Sequence, residues 1–242
     1  MTNPKSLFYN NYVSSGQAGK VDGFKPPQEV LKPRMPFLRS IIKKLELQDR
    51  SERVIDLGCG HGAMLYMLKQ SGFTNVAGVD ISKEQVDIAH RWGIYEVQCG
   101  DVESFLEQEG EVGVFFMLDV LEHLTPLQAV SVLSAVASKL KKGGLLVIHV
   151  PNGEGIFGQR IRYGDLTHET CFTPKSIRQL LKSVGLGTIK CFEDKPLVYS
   201  SVGLFRRIVW DLGTLYWRIL LAAESGERSC ILSQNMLVIA KK

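Results

Sequence analysis

The sequence predicts an α/β fold: a seven-stranded, mostly parallel sheet with helices on both faces and a helical insertion before the last strand. Three observations lead there. From residue 53 short runs rich in Val, Ile, Leu or Phe alternate with segments of helical periodicity, the order of successive strand-helix-strand units. The first run, Val54-Ile55-Asp56-Leu57, leads directly into Gly58-Cys59-Gly60-His61-Gly62, a glycine-rich strand-to-helix turn of the kind found at the carboxyl edge of a parallel sheet. At 242 residues, 45% of them hydrophobic, the chain is long enough for one full core and too short for two equal domains.

The elements follow in order. Residues 1–52 are a cap and lead-in, rich early in Asn, Ser, Gly and Pro, with an amphipathic helix around 36–47. Strands are expected at 53–57, 76–80, 95–99, 112–118 and 145–150, each short and rich in β-forming residues. Helices fit 63–70, 83–92, 101–108 and 126–141 between them. The last begins at Pro126 behind Thr125, a hydroxyl N-cap with proline at the first helical position. Lys141-Lys142-Gly143-Gly144 is expected to end it, with cations at the negative end of the dipole and glycine free to turn left-handed. A helix starting at Thr173-Pro174 stops near Gly185, and strands near 187–192 and 235–240 complete the sheet. The domain reading is therefore 53–242, divided into 53–150, then 151–198 with a loop, helix and strand, then an amphipathic insertion at 199–230.

Composition narrows the partners. Charged residues make up 22% and the net charge is +4, so neither disorder nor a nucleic-acid surface is indicated. Five cysteines, Cys59, Cys99, Cys171, Cys191 and Cys230, are odd in number and contain no CxxC pair; they read as reduced thiols, mostly buried. The start shows no secretory pattern, and no apolar run is long enough to span a bilayer, which points to the cytoplasm.

The glycine turn leaves two ligands open. Gly58-x-Gly60-x-x-Ala63 satisfies a dinucleotide fingerprint, with Asp80 at the end of the second strand placed to grip a ribose. Asp56, two residues before the first glycine, is a poor neighbour for a pyrophosphate and a good one for a cation. S-adenosylmethionine carries no phosphate, and its sulfonium and ammonium groups offset one carboxylate. The turn with Asp56 favours it.

VIDLGCGHG, VAGVDIS, CGDVESF and VGVFFMLDVLEHL, in this order and spacing, resemble the successive motifs of class I S-adenosylmethionine-dependent methyltransferases, over residues 53–150. That resemblance implies a Rossmann-like sheet and assigns roles. Gly58 and Gly60 admit the methionine moiety, Asp80 accepts from both ribose hydroxyls, Asp101 faces the adenine amino group, and the Leu118 backbone accepts from the ammonium. KPRMPFL and DVLEHL are similar to segments of the ubiquinone-type O-methyltransferases, which places Arg34 on the cofactor carboxylate. In some members of that group an acid, a glutamate and a histidine hold a divalent ion, here Asp119, Glu122 and His123; the plainer reading is that Glu122 and His123 satisfy buried backbone groups.

On the acceptor side, His168 lies in YGDLTHETCFTP, a polar loop after the fifth strand, while His149 inside that strand reads as a packed core imidazole. THE-x-x-FTP and the early YVSSGQ are similar to segments of bacterial methyltransferases encoded with glycan pathways. His168 is the candidate general base, with Asp165 or Glu169 orienting it; the alternative is a histidine that bonds loop backbone. Tyr12 and Ser14-Ser15-Gly16 are a candidate lid. The broad apolar face of 199–224, with Trp210 and Trp217, packs on the chain's own sheet, joins a homodimer, or docks peripherally on the inner face of the membrane.

The expected activity is O-methylation of a small molecule or a sugar unit of a bacterial glycan, with S-adenosylmethionine as donor and no nucleic-acid partner. Two other readings stand beside it: an NAD(P)-dependent oxidoreductase and a non-catalytic cofactor-binding scaffold.

Overall fold

The computed structural model describes Val13 and residues 21–242. The proposed lid, Tyr12 with Ser14 to Gly16, lies outside the described residues. Two helices open the described chain, α1 (Pro27–Leu31) and α2 (Met35–Leu45). Alternation then begins with β1 (Val54–Leu57), α3 (Ala63–Gln70), β2 (Val76–Asp80), α4 (Lys83–Arg91), β3 (Val97–Cys99), α5 (Val102–Gln108) and β4 (Val112–Leu118). It continues through a single 3-10 turn (Leu121–His123), α6 (Pro126–Lys139), β5 (Leu140–Pro151), α7 (Gly158–Arg162), α8 (Pro174–Ser183), β6 (Ile189–Glu193), α9 (Ser201–Ser225) and β7 (Asn235–Lys241).

The strands form one sheet in the order β3-β2-β1-β4-β5-β7-β6. Neighbours from β3 to β5 are parallel, and β7 runs antiparallel to both β5 and β6. The chain order reverses beside β1, which opens a crevice at the carboxyl ends of β1, β2 and β4.

Side chains alternate between two cores, one on each face. On one face Phe115 and Met117 of β4 and Ile148 of β5 meet α5, α6 and α8. On the other, Val114, Phe116 and Val147 meet Leu38 and Ile41 of α2 and the apolar side of α3. Helix α3 lies close on the sheet because Gly78 has no side chain; a Cβ there would stand 2.7 Å from the Cys59 sulfur and 2.8 Å from Leu65.

Three expectations need correction. Helix α6 starts as the sequence requires, with a full capping box between Thr125 and Gln128, but ends at Lys139. Leu140 is already extended and pairs with Val112, because a buried leucine gains more in the sheet than as a helical residue facing solvent; the Lys-Lys-Gly-Gly run therefore lies within β5 beside an irregularity in the ladder. The thiols are free, but only Cys59 and Cys230 are buried, Cys99 being exposed at the end of edge strand β3.

The third correction concerns the insertion. Residues 201–225 form a single helix, capped by Ser200 on the Gly203 amide and closed by left-handed Gly226. Its apolar face does not pack on the sheet. Only Gly203 and Thr214 are buried, and Phe205, Leu212 and Tyr216 are 67%, 68% and 62% exposed. The helix instead docks by its polar side: Arg218 donates two bonds to the Glu193 carboxylate, at 2.7 and 2.8 Å, and one to the Cys230 carbonyl. Trp210 turns inward and Trp217 stays exposed.

Asn152, fully buried after β5, ties the insertion's return to the sheet. Its amide donates to the carbonyls of Ile231 and Ser233, and its oxygen accepts from the Glu154 amide. Asn152→Ala removes the donor from one buried and one half-buried carbonyl and is expected to destabilise the chain by about 2–3 kcal/mol, read as a lower urea midpoint at unchanged slope.

Candidate active site

The crevice at the carboxyl ends of β1, β2 and β4 encloses about 510 Å³. Its wall includes Arg34, Asp56, Gly58, Gly60, Asp80, Asp101 and Leu118, all seven residues expected to meet a cofactor. The structure also adds His61, Ser82, Gln85, Asp119, His123 and Gln128 to the wall.

The glycine turn has to be glycine. Gly58, Gly60 and Gly62 all have positive φ, and a Cβ on Gly58 would come within 2.4 Å of Val120. Asp80 holds the turn in shape, accepting from the Gly60 amide at 2.7 Å and from the Ser82 amide at 2.8 Å. Burial raises its carboxyl above the ordinary value while those two amides oppose the rise. Each oxygen keeps a lone pair for further donors.

Asp56 is buried, and its Oδ1 has no partner among the described residues. Burial pushes its carboxyl up to about 8, with Arg34 pulling the other way and Asp80 adding to the rise. A cationic ligand would supply the partner that this buried carboxyl lacks. Asp101 caps α5 through the Ser104 amide at 2.8 Å and lies exposed at the crevice rim. The Val13 amide reaches the Glu84 carboxylate, in the first turn of α4, at 2.9 Å.

Beyond the end of β4, Asp119 takes a left-handed conformation, φ 59°. Its carboxylate meets His149 Nδ1 at 2.5 Å and the Arg34 guanidinium at 3.1 Å. On its far side His149 faces Asp194 at 3.5 Å, and its ring stacks edge-on against Phe37 of α2. Burial works against both charges, yet the pairing holds His149 at about 10 and Asp119 at about 2. Sequence reading took His149 for core packing. A histidine inside an apolar strand was a signal, but its partner depends on the β4–β5 register, which sets Leu118 opposite His149.

His123 and His168 come together, ring centroids 4.7 Å apart. His168 Nδ1 lies 3.1 Å from the Ile161 carbonyl, so it donates there and Nε2 carries the lone pair. That Nε2 stands 4.0 Å from the buried Glu122 carboxylate. His123 Nδ1 meets Thr167 Oγ1 at 2.8 Å, and the Thr167 hydroxyl donates to Asp165 at 2.6 Å. Asp165 thus reaches His123 through Thr167, while Glu169 is placed by its amide on the Glu122 carbonyl. Burial first, then His168, lowers His123 to about 4, leaving it neutral at pH 7. Burial raises Glu122 well above its ordinary value. Of the three residues weighed as metal ligands and set second to a structural role, Asp119 is engaged by His149 and Arg34; the donors that converge are Glu122, His123 and His168, within 4.8 Å of one another.

Sheet order, the glycine turn and a carboxylate at the end of β2 define an α/β enzyme that binds a nucleoside-containing cofactor. The methyltransferase-domain family model matches residues 31–190, and the chain belongs to that family. It is accordingly an enzyme that transfers methyl groups, with S-adenosylmethionine as its cofactor. The oxidoreductase reading falls with this match. No curated protein matches the sequence.

Solved structures share the fold. An S-adenosylmethionine-dependent methyltransferase from Archaeoglobus fulgidus has a TM-score of 0.69 at 22% identity, over 96% of this chain and 99% of that one. Magnesium protoporphyrin IX methyltransferase from Synechocystis PCC 6803, with bound cofactor, has 0.61 at 16%, over 100% and 98%. Phosphoethanolamine N-methyltransferase 2 from Haemonchus contortus has 0.58 at 17%, over 86% and 52%. Their named acceptors differ, so the fold does not choose one.

The Asp119–His149 pair sets a pH dependence. His149 has its folded value raised from 6.5 to about 10, so its contribution is complete below pH 6.5 and is lost as pH rises toward 10. Thermal melts between pH 6 and about 10 are expected to show a steeper decline for the wild type than for His149→Gln.

Proposed function

We propose that this methyltransferase acts on an oxygen of a small molecule or of a sugar unit of a bacterial glycan, and that His123 and His168 take the acceptor's proton. The observation behind this reading is the imidazole pair beside the pocket, His123 on the wall and neutral at pH 7 with His168 behind it, their tautomers fixed by the Thr167 hydroxyl and the Ile161 carbonyl. A neutral imidazole is the base an alcohol needs near pH 7, whereas an amine acceptor needs little help.

When bound, the cofactor supplies an activated methyl whose sulfonium leaves as a neutral thioether. The residues on the crevice wall suit it. Arg34, with one guanidinium nitrogen on Asp119, would turn its remaining donors to the carboxylate. The Leu118 carbonyl would accept from the ammonium, Asp80 would accept from the ribose hydroxyls, and Asp101 would face the adenine. Gly58 and Gly60 would let the backbone close on the methionine end. Asp56 would regain its charge beside the cationic centre and release a proton as it does so.

The acceptor enters beside His123, with Glu122 and His168 behind it. Alignment of the acceptor oxygen with the methyl does most of the work, and the imidazole pair removes the proton during attack. A second reading rests on the same cluster. One carboxylate and two imidazoles are an adequate donor set for a divalent ion, which would polarise the acceptor oxygen.

Incubating the protein with methyl-labelled cofactor and fractionated bacterial extract tests the acceptor: label in an ether or ester of a small molecule or sugar is expected, and label on nitrogen overturns the oxygen reading. With that acceptor, His168→Ala is expected to lower kcat about 100-fold or more at unchanged cofactor affinity. Chelation should leave the rate unchanged if the imidazoles act alone, and abolish it reversibly if an ion is held. Cofactor titrations at pH 7 in buffers of different ionisation enthalpy should show proton release by the wild type that Asp56→Asn lacks.

A further inference from the structure

We infer that helix α9 is the contact surface for a second copy of this chain, the two helices running antiparallel about a two-fold axis at Leu212. The helix is inverted relative to an ordinary surface helix. Its polar residues, Arg207, Thr214 and Arg218, face the protein, and its apolar residues face outward.

At 3.6 residues per turn the outward residues fill an arc of about 160° that contains no charged side chain. Their exposed surface is roughly 1,000 Å², well above the few hundred Å² usual for the largest apolar patch of a monomer. Burying most of it from both copies removes about 1,600 Å², the size of a standard stable interface.

Symmetry favours a second copy over other occupants. Leu212 sits at the centre of the arc and within one residue of the middle of the helix. A two-fold axis through it sets Leu212 against the partner's Leu212, Phe205 against the partner's Ile219, and Ile208 against the partner's Tyr216. Apolar side chains meet apolar side chains along the whole length, as a self-complementary interface requires.

Charge agrees. Arg206 and Glu224 lie five turns apart on the same margin of the arc, and among the described residues neither forms an ion pair. Both lie about 120° around the helix from Leu212, so in the antiparallel pair they stand on the outer flank and leave the seam free of charge. A lipid surface would call for basic residues on both margins, whereas here Arg206 and Glu224 share one and Asp211 borders the other.

Sedimentation equilibrium of the full chain at about 10–50 µM is expected to give twice the 27.0 kDa of one chain. Leu212→Lys, at an exposed position, should keep the circular dichroism of the wild type and become monomeric. A monomeric wild type, whether or not it co-floats with anionic phosphatidylglycerol vesicles, overturns the proposal, as does a dimer that persists in Leu212→Lys.

Discussion

The ion pair between Asp119 and His149 is the constraint around which the site is assembled. It joins the end of β4 to the adjacent strand β5, takes in Arg34 at the start of α2, and reaches Asp194 beyond β6. A non-glycine residue in the left-handed region costs roughly 1 kcal/mol, and a buried imidazolium costs more unless it is paired. Both costs are met by one short contact. The resulting bend at Asp119 sends the chain into the turn that presents Glu122 and His123, and it sets Val120 against Gly58. The glycine turn and the pocket wall at His123 are thus placed by the same two side chains.

Electrostatics divides the crevice. At the β1 end Asp56 is buried, its Oδ1 without a partner among the described residues, and holds its proton more tightly than an ordinary carboxyl, which favours a ligand that brings positive charge. At the α6 end burial keeps His123 neutral near pH 7 and raises the Glu122 carboxyl well above its ordinary value. Arg34 and Asp119 lie between these ends and neutralise one another. One cavity therefore offers a cation-seeking region and a proton-accepting region.

The chain beyond β5 serves a different end. Asn152, Glu193 and Arg218 anchor the insertion by polar contacts, which leaves its apolar residues unused by the core. A helix that turns its hydrogen bonds inward and its hydrophobic surface outward presents an apolar patch of the size that marks interaction sites. The two cores on the sheet's faces are complete without it.

Most of the architecture was legible in the sequence. Strands 76–80 and 112–118 and helix 63–70 stand at the expected residues, because β-rich runs and a helical period are local properties bounded by glycine and by Thr125-Pro126. The glycine turn and Asp56, Asp80 and Asp101 were legible for the same reason: a ligand at the carboxyl edge draws its residues from the ends of successive strands. Where Leu140 ends α6, which carboxylate His149 finds, that Glu122 stands by His168, and which way α9 faces were decided by tertiary structure. Each depends on strand register or on burial by residues distant in the chain, and a hydrophobic period states that a helix has an apolar side without stating what that side meets.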